Sequence, residues 1–114
     1  MGDLGDKKMA SQQFKPTRNE QLIVTNASQV VIDPRGDGDN KRKMFVIRNT
    51  ADDNTKIITL HIGQGVSVDN LGIVLKGGEV YAENTDSNFE CWQGAITAIC
   101  AVASATADLS IMER

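Results

Sequence analysis

The chain has 114 residues, 40% of them hydrophobic and only 4% aromatic, and twelve basic against fifteen acidic side chains leave a formal charge of -3. That length supports one domain with a thin core, and the acidic balance offers no general attraction to a polyanion, so no direct nucleic-acid partner is expected. No apolar run is long enough for a helical membrane span, and the first ten residues hold no signal-like apolar stretch; a soluble, cytosolically made domain without membrane contact is expected.

Residues 1–21 are rich in Gly, Lys, Gln and Ser, with Phe14 as the main apolar exception. Such a segment buries too little to offset ordering its own backbone, and it reads as an extended arm, flexible alone or docked onto a partner. Residues 22–114 read as the folded domain. Leu22–Thr25 and Gln29–Ile32 are short strand candidates about a polar Asn26–Ser28 turn, and together suggest a hairpin or bent edge. Lys43–Asn49 follows with Phe45 and Ile47 on one face. Lys56–Ile62 sets Ile58, Leu60 and Ile62 opposite Ile57, Thr59 and His61. Leu71, Ile73 and Leu75 alternate again, and Lys76-Gly77-Gly78 predicts a tight reversal into Glu79–Glu83 as a hairpin partner.

Trp92 reads as an anchor ahead of Ala95–Val102, where Ile, Thr and Val favour a strand despite the alanines. Ala107, Leu109 and Ile111 face inward in the last strand, which is expected to stop at Glu113 and Arg114. About eight short strands without long helices predict an all-β, compact antiparallel sandwich, with a jelly roll as one way of winding it.

Several polar groupings invite chemistry, and each has a plainer reading. Asp33, Asp37, Asp39 and Asn40 offer oxygen ligands, but the spacing is not that of a calcium loop, and Arg35-Gly36-Asp37 is too short to define an adhesion site. Lys41-Arg42-Lys43 is a positive patch that neighbouring carboxylates compensate. Gly63-Gln64-Gly65 and Lys76-Gly77-Gly78 read as turns, not phosphate loops. His61 is the only histidine and belongs to no catalytic network visible in the spacing. A small enzyme using His61 beside Cys91 is therefore the minor alternative. Cys91 and Cys100 are too few for a disulfide scaffold and match no zinc or redox spacing, so two free thiols are expected. No metal, cofactor or catalytic residue is assigned.

Met44–Thr50, Ile57–Gly63, Gly72–Glu79 and Ala107–Glu113 carry a further signal. Over residues 43–113 these stretches resemble small virion accessory proteins of tailed phages, the type that decorates or cements a capsid or forms the base of a head fibre. The resemblance implies a structural virion protein without enzymatic activity. Its implied partners are the major capsid protein or neighbouring virion subunits, and its implied state is a symmetric homo-oligomer, a trimer first, with an arm that docks onto the shell or a neighbour. The expected interface is Phe14, Lys15, Pro16 and Arg18 on the arm, then Leu71 and Ile73 on the body. The rival reading is a carbohydrate- or receptor-binding module in which Tyr81 or Trp92 stacks on a ligand framed by Asn84, Asp86 and Asn88.

Overall fold

The computed structural model describes residues 18–36, 40–63, 65–101 and 106–114. Eight strands follow one another: β1 (Arg18–Thr25), β2 (Gln29–Ile32), β3 (Met44–Asn49), β4 (Ile58–Ile62), β5 (Ile73–Leu75), β6 (Val80–Asn84), β7 (Ile96–Cys100) and β8 (Thr106–Glu113). They form two four-stranded antiparallel sheets, ordered β1-β8-β3-β6 and β2-β7-β4-β5. First pairs with last, second with seventh, third with sixth and fourth with fifth, as when one long antiparallel ribbon is rolled over itself. That winding is a jelly roll, and the all-β antiparallel sandwich expected from the sequence is the fold.

Period-two alternation explains the core. In β8 Ala107, Leu109 and Ile111 point inward while Thr106 and Asp108 face solvent; in β3 Phe45, Ile47 and Asn49 are the buried set. Ile58 and Leu60 of β4 and Ile96, Ala98 and Cys100 of β7 oppose them from the second sheet. Among the described residues Phe45 is the one fully buried aromatic ring, so branched aliphatic side chains fill most of the interior. Burying one such side chain contributes about 1.5–3 kcal/mol, which makes this set the main source of stability.

Two expected hairpins are corrected. β1 and β2 do not pair: β1 joins β8 along all eight residues, and the Asn26–Ser28 link carries the chain into the other sheet. Both strands have a core face, and placing them in opposite layers lets Val24 and Ile32 cover the same core from two sides. Nor does β5 pair with β6. β5 completes the edge beside β4 and β6 the edge beside β3, and the turn between them is a crossover. That crossover is tied to the end of β3, where the Gly78 amide donates to Asn49 O (2.7 Å) and the Asn49 amide to Glu79 O (3.0 Å).

Two boundaries also shift. β1 starts at Arg18, so residues 18–21, read as arm, are sandwich strand paired with Glu113 to Ser110. β8 runs through Glu113, whose side chain lies on the core face two residues beyond Ile111. Phe14, Lys15, Pro16, Asp37, Asp39, Gln64 and Val102 lie outside the described residues.

Candidate functional site

The chemistry at one end of the sandwich begins with Glu113. Its carboxylate is 5% exposed and would be costly to bury alone. Among the described residues three guanidinium groups surround it: Arg35 forks onto Oε1, Arg42 Nε stands 3.6 Å from Oε1, and Arg18 Nη1 lies 3.6 Å from Oε2. Arg18 is also paired with Glu20. The expected interface residue Arg18 is thus a half-buried member of this ion cluster.

Arg42 is the centre of the arrangement. It is 1% exposed, and its head donates to Trp92 O (2.5 Å), Gly94 O (3.4 Å) and Asp33 O (2.6 Å). Gln93 closes a reciprocal pair on its backbone, accepting from the Arg42 amide at 2.5 Å and donating to Arg42 O at 2.6 Å. Cys91 Sγ donates to that same carbonyl at 3.2 Å. Burial holds the Arg42 pKa below the ordinary arginine value, opposed by Glu113. The Lys41-Arg42-Lys43 triplet is therefore no uniform surface patch: Arg42 turns inward, and Lys41 pairs with Glu90 at 2.7 Å in the open.

By holding Trp92 and Gly94, Arg42 shapes an apolar cleft of about 390 Å³ lined by Val30, Pro34, Trp92, Ala95 and Thr97, with three glycines completing its walls. Trp92 is half-buried against the core, and its indole N–H donates to Ala95 O at 2.9 Å. The ring lies directly on Gly94, where an added Cβ would fall 2.3 Å from the indole. Thr97 is 6% exposed, and its buried hydroxyl finds no hydrogen-bond partner among the described residues.

A second feature is residues 65–72 of the β4–β5 connection, which are pinned back onto the sandwich. Ser67 is buried, with its amide and hydroxyl both 2.9 Å from Ser28 Oγ, and the Asn70 amide donates to Thr59 Oγ1 at 3.1 Å. Gly72 adopts φ 132° with its α-carbon so close to β4 that a Cβ would lie 2.5 Å from Leu60 O. Only glycine fits there. Between these ties Val66, Val68 and Leu71 are 67%, 50% and 67% exposed, apolar side chains held outward on an anchored loop. The expected body-interface residues separate slightly: Leu71 stands in solvent, whereas Ile73 is half-buried against the core.

Of the residues of the expected ligand site, Trp92 lines the cleft. Tyr81 packs against Phe45, with ring centroids 5.9 Å apart, and its hydroxyl donates to Glu83 Oε2. Glu83 Oε1 accepts the Trp92 amide at 2.8 Å, so the two aromatics are joined through a carboxylate. The cleft is walled by neither Tyr81 nor Asn84, Asp86 or Asn88. Burial first, then the bond to Glu83, pushes the Tyr81 pKa up to about 12.

His61 and Cys91 also occupy different surroundings. Cys91 is in the core beside Arg42 O, while His61 pairs in register with Thr97 and its Nε2 lies near Gly63 and Gly65. Both cysteines are buried, and they are not joined to each other in a disulfide. Among the described residues no cluster of three or more His, Cys, Asp or Glu side chains is placed to hold a metal ion.

The Arg42–Glu113 hub joins residues 71 positions apart and is not evident from the local sequence around either one. One signal existed: the alternation Ala107, Leu109, Ile111 places Glu113 on the core face, and a core carboxylate demands cationic partners. No family model matches the chain, and neither a curated protein nor a solved structure shows significant similarity to it.

Proposed function

We propose that this chain is a non-enzymatic structural protein that self-associates through the anchored apolar loop and decorates or stabilises a larger shell, of the kind formed by a virus capsid. The observation that carries the reading is the outward display of Val66, Val68 and Leu71 on a loop tied down by Ser67, Asn70 and Gly72. A monomer gains nothing from fixing three large apolar side chains in water. A second copy covering them regains roughly 25 cal/mol for each Å² removed from solvent, and the loop has little ordering entropy left to lose.

The jelly-roll winding fits this reading without specifying it, because the same architecture serves capsids, lectins and cupins. The step from self-association to a virion rests on the resemblance of residues 43–113 to tailed-phage accessory proteins. In such a setting the major capsid protein is the natural partner, closed symmetry the natural state and a trimer the first expectation.

The test is occupancy on capsids. Shells are mixed with the wild-type chain or with Leu71→Asp, whose exposed position tolerates the change without unfolding. Saturable binding by the wild type and loss of binding by the variant are expected. Equal occupancy by the two, or failure of the wild type to bind shells at all, counts against the proposal.

A further inference from the structure

The apolar cleft beside Trp92 lies next to the point where the N-terminal segment enters the fold. Arg18, the first residue of β1, donates through Nη1 to Val31 O at 2.7 Å, one residue from Val30 on the cleft wall. Arg18 also lines a polar cavity of about 510 Å³ with Glu20, Asp33 and Pro34, and Pro34 belongs to the cleft as well. The cavity and the cleft thus share a wall at the root of the segment.

The residues just upstream are Phe14, Lys15, Pro16 and Thr17. Pro16 biases Lys15 toward an extended backbone. Four extended residues span about 13 Å, and Pro34 lines both the cavity at Arg18 and the cleft. The chemistry follows the same path: Lys15 would cross the carboxylates of Glu20 and Asp33, and Phe14, the only aromatic in residues 1–21, would reach apolar walls.

We propose that the cleft is the docking site for the chain's own N-terminal segment, with the Phe14 ring between Pro34, Val30 and Trp92. This goes beyond the assembly reading and does not depend on it, because it concerns one chain closing over its own surface. It gives residues 14–17 a place on their own subunit and leaves the β4–β5 loop as the assembling surface.

Trp92 is the only tryptophan and reports directly on the cleft. Acrylamide quenching of its fluorescence is measured in the full-length wild type, Phe14→Ala, Val30→Lys and the double variant, over a wide range of protein concentration. Val30 is 52% exposed, so lysine there obstructs the cleft without disturbing the core. The quenching constant is expected to rise about twofold in either single variant, because an aromatic cover is lost. The double variant should show no further rise, as for two changes that break one contact, and the protection should not depend on concentration. Equal quenching in wild type and Phe14→Ala overturns the proposal whether or not the protein oligomerises. So does additive behaviour in the double variant. Protection that appears only as concentration rises would overturn same-chain docking and assign the cleft to the segment of a second copy.

Discussion

Replacing Arg42 by methionine tests the organisation of the candidate site. Methionine keeps most of the aliphatic stem but removes every donor, leaving Trp92 O, Gly94 O and Asp33 O without the guanidinium and taking one of three cations from Glu113. A buried acceptor stripped of its partner costs about 1–3 kcal/mol, and breaking one side of a buried ion pair about 3–5 kcal/mol. Two effects limit the total. Arg35 and Arg18 still face Glu113, and the burial cost that depresses the Arg42 pKa is recovered once the charge is gone. The expected net loss is about 3–5 kcal/mol, a large part of the ~5–15 kcal/mol that holds a typical domain together.

Urea unfolding followed by Trp92 emission and by far-ultraviolet dichroism measures this loss. The midpoint should fall with little change in slope, and the melting temperature should drop by about 12–20 °C. Lys41→Met, the neighbouring residue, is the control. Its pair with Glu90 is about half exposed on both sides, so the change should stay under about 0.5 kcal/mol. A loss below about 1 kcal/mol for Arg42→Met, or equal effects at the two positions, would refute the view that Arg42 organises this end of the sandwich.

Further outcomes follow from the same contacts. Tyr81 is the only tyrosine, and its phenolate absorbance should titrate near 12 in the folded protein and near the ordinary value of about 10 after unfolding. Because the folded pKa is the higher one, the phenol's contribution is fully present below pH 10 and is lost as pH rises toward 12; a folded-state midpoint at 10 would contradict the assignment. Thr97→Val should leave thermal stability unchanged or raise it by up to ~1 kcal/mol, since it removes a buried hydroxyl that makes no hydrogen bond among the described residues. Asn49→Ala should cost about 3–4 kcal/mol in urea unfolding. Its side chain is fully buried and serves Lys56 O, Leu75 O and the Ala51 amide. Gly72→Ala should be clearly destabilising in the same assay and should loosen the apolar loop, because the new Cβ meets Leu60 O.

The strands themselves were legible because alternation in segments such as Lys43–Asn49 and Ala107–Ile111 is a local signal. Their partners were not. Short links such as Asn26–Ser28 and Lys76–Gly78 look like hairpin turns, yet here each carries the chain from one sheet to the other. The pairing that matters joins β1 to β8 across nearly the whole sequence. Arg42 was hidden for a related reason. Between two lysines it reads as solvated charge, and it is Glu113, Gln93 and the Trp92, Gly94 and Asp33 carbonyls, most of them distant in sequence, that give it reason to turn inward. Trp92 was legible as an anchor by its size. Its cleft was not, because the walls come from β2, β7 and the β2–β3, β4–β5 and β6–β7 connections together.

Whether copies of this chain meet through the β4–β5 loop is best decided by the native mass of the intact protein and of Leu71→Asp in solution. Leu71 lies 67% exposed between anchored neighbours, so a carboxylate there should break the contact and leave the fold intact. A closed oligomer is expected for the wild type and a folded monomer for the variant. A wild type that stays monomeric as its concentration rises, or a variant with the wild-type mass, would contradict it.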